Sequence, residues 1–324
     1  LAQVPNADLT WETVATLNVR LHTRLWDRLS MGLEFYDRQS SDLLMELPFS
    51  GTTGHSSGMG NIAEMKNTGF DLEVELDLVH TRNVYWGVRA NVNYNKNKIT
   101  KLYQGLDELA FPDYSLKYQV GMPSSLVYTQ VRAGVDPQDG SPMWYDLNGN
   151  LTKTYSDDIM QFCGMDTNAP WSGGFSTNFS WKGLSVTADF AWQMGKYMTN
   201  NDNYFLMNAN QGTSNNQAVD MLNVWTKPGD ITDIPKLGEQ VQFDTHLLED
   251  ASFLRMKNLI VQYSLPAKWM KATKGIQNAK VYFVGRNLFT ATKFTGYDPE
   301  PDTNLVKFNY PNTRQFVFGM ELTF

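Results

Sequence analysis

The chain has 324 residues, a formal net charge of −7 and 42% hydrophobic residues. No run of about 18 apolar residues occurs, which excludes a transmembrane helix, and the net acidity argues against nucleic acid as a partner. The single cysteine, Cys163, excludes an internal disulfide and is expected to be a small buried residue.

Apolar and polar residues alternate along much of the chain, which predicts β-strands with one apolar and one polar face. Between Phe70 and Leu78, for example, every second residue is apolar and the residues between them are acidic. Nine long strands are predicted, at about 11–25, 28–47, 65–80, 83–100, 170–181, 184–195, 251–265, 279–290 and 313–324.

The connections between these strands alternate in length. The short or moderate ones are 26–27, 81–82, 182–183 and 266–278, and the long ones are 48–64, 101–169, 196–250 and 291–312. Within the second long connection, 126–132 and 142–145 flank Asp136 to Gly140, which predicts a hairpin. The third is rich in Asn, Gln, Gly and Ser, a composition that suits an ordered surface loop or a mobile lid equally well.

The C-terminal segment 316–324 ends in a phenylalanine, and all residues of one parity are apolar. A soluble sandwich can contain such a strand, but a transmembrane barrel uses it routinely, because lipid covers one face and the lumen is polar. The predicted fold is therefore all-β, an antiparallel transmembrane β-barrel. With the last strand running down to Phe324 at the periplasmic interface, every long loop lies outside the cell.

Nine strands with a free edge at each end cannot close in a bilayer, because unpaired backbone groups cost several kcal/mol apiece. We therefore expect partner strands from an N-terminal portion absent from this chain, either covalently joined or separate. The chain starts at Leu1 without Met or a signal peptide, so we interpret it as the C-terminal part of a larger precursor.

Several segments carry recognisable motifs. They are 6–13 (NADLTWET), 36–44 (YDRQSSDLL), 61–69 (NIAEMKNTG), 248–259 (LEDASFLRMKNL) followed by 263–266 (YSLP), 285–289 (GRNLF), 296–300 (GYDPE) and 310–314 (YPNTR). In this order they resemble the SusC-like, RagA-type branch of TonB-dependent outer-membrane transporters of Bacteroidetes, across nearly the whole chain. One departure is Asp71, which lies near a position where the family has Glu.

The resemblance implies a barrel of about 22 strands, of which residues 1–324 supply about nine, with an N-terminal plug that this chain lacks. It implies a SusD-like surface lipoprotein as a lid and energy delivered by TonB through the absent plug. It also implies that the terminal strand is read by the barrel-assembly machinery. The implied function is nutrient import, with oligosaccharide as the first expected cargo and oligopeptide as the second.

Aromatic side chains in the long loops are the predicted ligand-binding residues, because planar rings beside amides suit sugar faces and also extended peptides. They are Trp144, Tyr145, Tyr155, Tyr204, Phe205 and Trp225. The alternative is that most of them pack within the loops or against the lid. Aromatics of the lipid-facing parity, such as Trp181 and Trp192, are expected to anchor the chain at the membrane interfaces.

No catalytic set, cofactor site or metal site is predicted. The acidic residues Asp71, Glu73, Glu75 and Asp77 are expected to line a lumen rather than to bind a cation or substrate. Asp146, Asn148 and Asn150 have a calcium-loop spacing, but the glycine is misplaced, and a hairpin turn explains Asn148-Gly149 more simply. His22, His55, His80 and His246 have no metal-ligand spacing.

Two alternative functions remain open from the sequence. One is a passive porin without a plug, which the N-terminal sequence would decide. The other is a secreted, soluble carbohydrate-binding β protein, which detergent-free solubility would favour.

Overall fold

A computed structural model describes residues 6–324 except 49–51, 53, 56, 112–115, 209, 211–213, 272–274 and 304. Nine strands form one antiparallel sheet, which we call the wall: β1 (Thr13–Leu25), β2 (Leu29–Pro48), β3 (Ser57–His80), β4 (Val84–Leu102), β11 (Trp171–Trp181), β12 (Leu184–Met194), β15 (Phe253–Ser264), β16 (Asn278–Thr292) and β18 (Gln315–Thr323).

The described parts of the long connections hold nine shorter strands and one α-helix, which together we call the loop platform. They are β5 (Glu108–Phe111), β6 (Leu116–Gln119), β7 (Leu126–Val135), β8 (Pro142–Tyr145), β9 (Leu151–Thr152), β10 (Met160–Asp166), β13 (Tyr197–Asn200), α1 (Asn201–Leu206), β14 (Leu248–Asp250) and β17 (Leu305–Val306). A one-turn helix, α2 (Ala267–Met270), lies between β15 and β16.

The nine predicted wall strands are confirmed, and their order in the sheet is their order along the chain. One boundary differs clearly: β3 begins at Ser57, not at 65, because the segment before Asn61 pairs with the end of β2. Ile62 there is buried against Phe111 of β5, so this part of the strand has a core of its own. The connection after β2 is therefore shorter than the predicted 48–64.

The register sorts the side chains of the wall into two faces. Leu33, Leu72 and Val92 lie opposite one another on three successive strands, and the next row is Glu34, Asp71 and Asn93. A one-residue slip would exchange the faces, so this alignment keeps one face apolar and the other polar.

The apolar face is not covered by the described part of the chain. Leu17 is 67% exposed and Phe318 is 78% exposed, near the two ends of the wall. Phe175 and Phe190 stack at 4.5 Å between centroids on this outer face and not in a core. Side chains of this kind need an apolar environment that the described part of the chain does not supply.

Aromatic side chains mark the limits of that environment. Trp171 and Trp181 stand on the same face at the two ends of β11, ten residues apart. At about 3.4 Å per residue and a tilt of about 40°, they are separated by roughly 26 Å along the barrel axis, close to the apolar band of outer-membrane barrels. This spacing agrees with the predicted role of Trp181 as an interface anchor and adds Trp171, which was not predicted, at the other interface.

No helix among the described residues is long and apolar enough to cross a membrane.

Tight turns join the strands at one end of the wall. Trp26 and Asp27 both have positive φ, 52° and 53°, between β1 and β2. Lys182 and Gly183 repeat this between β11 and β12, with φ of 46° and 93°. Such two-residue turns match the twist of the strands that they connect.

The predicted hairpin at 126–145 is confirmed, since β7 pairs with β8 in antiparallel fashion. It belongs to a four-stranded sheet of order β10-β7-β8-β9. A second small sheet joins β13 to β14 and, in parallel, to β17. The described part of the connection 196–250 is thus tied into ordered structure at both ends.

Candidate functional site: the polar wall and the loop platform

The polar face of the wall carries the four acidic residues of β3. Each accepts a hydrogen bond from a side chain on an adjacent or nearby strand: Asn93 to Asp71 at 2.7 Å, Arg20 to Glu73 at 3.1 Å, Arg89 to Glu75 at 2.7 Å, and Tyr85 to Asp77 at 2.8 Å. Two partners are cations and two are neutral donors. Such cross-strand pairs stabilise a polar, hydrated sheet face. They leave no pair of carboxyl groups arranged for acid–base catalysis.

A cavity of 560 Å³ lies on this polar face, where the wall meets the loop platform. Its lining is rich in primary amides: Asn18, Asn67, Asn93, Asn95, Asn168 and Gln193. Tyr36, Lys196 and Asp302 contribute a ring and two charges. Amides can donate and accept at once, so the cavity suits ligands with many hydroxyl groups or exposed peptide groups.

Asp244 is the central residue of the loop platform. Its carboxylate accepts hydrogen bonds from Trp144 Nε1 at 2.6 Å and from the backbone N–H of His246 at 2.8 Å, and it contacts His246 Nδ1 at 2.6 Å. Burial raises the pKa of the Asp244 carboxyl, but the donors of His246 and Trp144 outweigh burial and hold the pKa below its usual value. Asp244 therefore stays ionised and joins β8 to the segment that precedes β14.

Two of the predicted ligand-binding residues belong to this structural cluster. Trp144 is only 2% exposed, and its ring lies 5.3 Å from that of Tyr155. The Tyr155 hydroxyl donates to the Phe243 carbonyl at 2.9 Å, and burial together with Asp244 and Asp157 raises the pKa of Tyr155 to about 12. Both side chains pack within the loops, as the alternative interpretation expected.

Of the other four predicted residues, Tyr204 and Phe205 join the same cluster through Phe243, and Tyr145 and Trp225 do not. Tyr204 stacks on Phe243 at 4.4 Å, and Phe205 lies edge-on to Tyr204 at 5.2 Å. Trp225 donates to the Pro137 carbonyl at 3.1 Å and packs on Gly140 of the β7–β8 turn. Tyr145 is the most exposed of the six, at 39%. The structure thus brings four of the six together around Phe243 and Asp244, and the role of all six in ligand binding stays a prediction.

The calcium-like spacing at Asp146 forms a turn. The Asp146 carboxylate accepts from the backbone N–H groups of Asn148 and Asn150, both at 2.8 Å, within the β8–β9 hairpin. These backbone hydrogen bonds lower the pKa of Asp146. Among the described residues no cluster of three or more His, Cys, Asp or Glu side chains could hold a metal ion. Cys163 is half-buried, with its Sγ 3.5 Å from the Val127 carbonyl, so it is less enclosed than expected.

Three of the sequence motifs converge on one buried ion network that centres on Arg255, whose side chain is 5% exposed. Arg255, from 248–259, binds Asp298 at 2.7 Å and also pairs with Glu300, both from 296–300. The backbone N–H of Asn312, from 310–314, donates to Asp298 at 2.9 Å. The network fastens the connection before β18 to β15, which the separate motifs did not reveal.

The sequence reasoning missed Asp244 and Arg132, which are near neighbours on the platform. A local signal existed for Asp244, which caps the short 3₁₀ helix Thr245–Leu247 as Asp and Asn commonly do. No local signal marked Arg132, because its charged partner, Asp244, is 112 positions away in the sequence.

The chain is similar to known transporters along its whole length. It is 28% identical over 360 residues to TonB-dependent receptor P3 of Formosa agariphila, covering 100% of this chain and 35% of that protein. It is 25% identical over 338 residues to TonB-dependent receptor SusC of Bacteroides thetaiotaomicron, covering 98% and 32%. No family model matches the chain.

A solved structure of the RagAB peptide transporter superposes with a TM-score of 0.89 at 40% identity, over 99% of this chain and 36% of that one. The RagAB peptide importer in its open-open state matches with the same TM-score and identity. The chain spans about a third of the length of these relatives.

Proposed function

Because this chain is SusC- and RagA-like over its whole length, we propose that it forms part of the barrel wall and outer vestibule of a TonB-dependent importer. Like these relatives, it belongs to the outer membrane of a Gram-negative bacterium. The observation that carries the proposal is the match of 99% of this chain to the RagAB transporter, together with an apolar face that the described part of the chain leaves uncovered.

In the proposed mechanism the loop platform captures the cargo together with a SusD-like lipoprotein lid. The cargo then passes along the polar face of the wall when TonB displaces a plug. The remaining strands and the plug come from the rest of the transporter. No covalent bond is made or broken by this chain.

Oligopeptide is the cargo that we propose first. The identity to the RagAB peptide transporter is 40%, against 25% to SusC, over nearly the same share of this chain. This reverses the order that the sequence alone suggested. Oligosaccharide remains the second candidate, because the amide-rich cavity on the wall suits a ligand with many hydroxyl groups.

The test is to purify the complete transporter with its lid from native membranes and to identify bound molecules by mass spectrometry. Two results together would support the proposal. Peptides should be bound in the native complex, and a strain that lacks TonB should not take up the same peptides. If only glycans are bound, the cargo is oligosaccharide and the peptide proposal is wrong. Uptake that persists without TonB would favour a passive porin.

A further inference from the structure

A second cavity, of 440 Å³, lies where the two longest loops meet. Its walls include Met207, Ile234 and Val241, which are apolar, and the polar residues Arg132, Asn203 and His246. Its volume lies within the usual range of small-ligand sites, and its wall combines apolar side chains with polar groups that can orient a ligand.

Arg132 stands at an irregular point of its strand. The pairing of β7 with β8 shifts between Arg132 and Gly134, which is a β-bulge. Bulges redirect side chains and are frequent beside functional sites. The Arg132 backbone N–H donates to Thr245 Oγ1 at 2.9 Å, which fixes the backbone, and the side-chain Nε donates to the Gly134 carbonyl at 3.0 Å, which holds the guanidinium.

The charge of Arg132 is only partly matched. Its side chain is 9% exposed, yet Nη1 lies 3.5 Å from Asp244 Oδ2, at the limit of a hydrogen bond. The Nη2 atom has no hydrogen-bond partner within the part of the chain that the structure describes. Burial lowers the pKa of Arg132, and the attraction of Asp244 offsets only part of this effect. A buried guanidinium with spare donors can accept a further anionic partner.

Asp244 does not compete strongly for those donors. Its carboxylate is already bound by Trp144 and His246. Asp233 is the one acid among the residues that line the cavity, and it is exposed to solvent. An exposed charge is screened, so Asp233 weakens anion binding only modestly.

We propose that this cavity binds a carboxylate group of a peptide, with Arg132 as the charged partner and the Met207, Ile234 and Val241 walls against an adjacent apolar side chain. The proposal rests on the proposed peptide cargo and assigns a place to one of its carboxylate groups. Asn203 and His246 also line the cavity and can supply further polar contacts.

The experiment uses the complete transporter–lid complex and a tryptic digest of casein, with peptide carboxyl groups left free or converted to amides. Retained peptides are quantified by mass spectrometry. We expect amidation to lower retention by about tenfold to a hundredfold. For the most strongly retained peptide, synthetic copies amidated only at the C-terminus or only at the side chains identify which carboxylate binds.

Arg132→Gln should lower retention of the free peptides to that of the amides and abolish the difference between the two. Arg132→Lys should restore part of the difference, since it keeps the charge but loses the fork geometry. Asp233→Asn should tighten binding of the free peptides by a few-fold, and this variant does not disturb the buried cluster. Lys153→Gln, an exposed cation of the same loop that pairs with Asp136 and Asp139, is the matched control and should change nothing.

Wild-type complex that retains no peptide would overturn the peptide cargo, and this site with it. If peptide retention changes neither on amidation nor on replacement of Arg132, the proposed site is wrong but the peptide cargo stands. Weaker retention in Asp233→Asn would show that the cavity prefers cations, which also contradicts the proposal.

Discussion

The wall and the loop platform are held together in different ways. In the wall, strands follow one another in chain order, and side chains repeat every second residue. On the platform, buried carboxylates such as Asp244 and Asp298 join segments that are far apart in the sequence. The stability of the wall therefore depends on the apolar medium that covers its outer face. The stability of the platform depends on a few specific contacts.

A third carboxylate, the half-buried Glu249, joins distant segments near α1. Glu249 accepts from Asn200 Nδ2 at 2.9 Å and from Thr295 N at 2.6 Å, which fastens the connection after β16 to β14. Loops held in this way can present a binding surface in one fixed arrangement, which favours a preorganised vestibule over a mobile lid formed by this chain.

Loss of Arg255 should have the largest effect on the platform. Arg255→Gln leaves Asp298 and Glu300 without their buried partner, and breaking such a network typically costs about 3–5 kcal/mol. Urea unfolding of the complete protein in detergent measures the loss. Lys280→Gln, which removes a more exposed pair with Glu321 in the wall, should cost at most about 1 kcal/mol. Equal losses of stability for the two variants would contradict the claim that specific ion pairs stabilise the platform more than the wall.

A charge on the outer face tests the wall. Ala90 and Asn91 are adjacent, exposed and on opposite faces, near the middle of the span. Ala90→Arg should destabilise the folded barrel by about 2–4 kcal/mol, whereas Asn91→Arg should cost about 0–1 kcal/mol. Refolding into lipid vesicles with urea titration gives both values. Two small and similar values would mean that water, not lipid, faces Ala90.

Acid should loosen the platform. Burial raises the pKa of Asp244 and of Asp298, but the donors of His246 and Arg255 outweigh it, so both pKa values are lowered. Each group therefore stabilises the folded state fully above its unfolded pKa of about 3.9, and this stabilisation is lost as the pH falls through the lower folded pKa.

Pepsin digestion between about pH 4.5 and about pH 2 should cut the platform progressively faster. Asp244→Asn removes one of the two titrating groups and should flatten the pH dependence, although the variant is less stable throughout. A pH dependence as steep as that of the wild type would exclude Asp244 as the group responsible.

Tyr155 should have the smallest effect. Tyr155→Phe removes one hydrogen bond to the Phe243 carbonyl and should cost about 0.5–1.5 kcal/mol. If Tyr155 instead contacts cargo, retention of peptides would fall while stability stays unchanged. The ratio of the two effects separates a packing role from a binding role.

The wall could be predicted well because apolar and polar residues alternate clearly along its strands. The β3 residues from Phe70 to Leu78 alternate strictly, and the pairing partners are neighbours along the chain. The early start of β3 at Ser57 escaped notice because Ser57 to Gly60 alternates poorly and is set by pairing with the end of β2.

The platform was harder to predict, since its contacts are not periodic. The aromatics Trp144 and Tyr155 have the composition of a binding surface, but Asp244, about 90 to 100 residues away, makes them part of a cluster. The Arg255 network was visible as three separate motifs, and only the fold brings them together.

The central claim is that lipid covers the apolar face of the wall. Single cysteines placed at successive positions from 86 to 94, in a Cys163→Ser background, can carry a fluorophore in reconstituted membranes. A lipid-soluble quencher should quench the even positions, such as Val88 and Ala90, and spare the odd ones, such as Arg89 and Asn91. Quenching without this alternation, or by a water-soluble quencher at the even positions, would contradict the account.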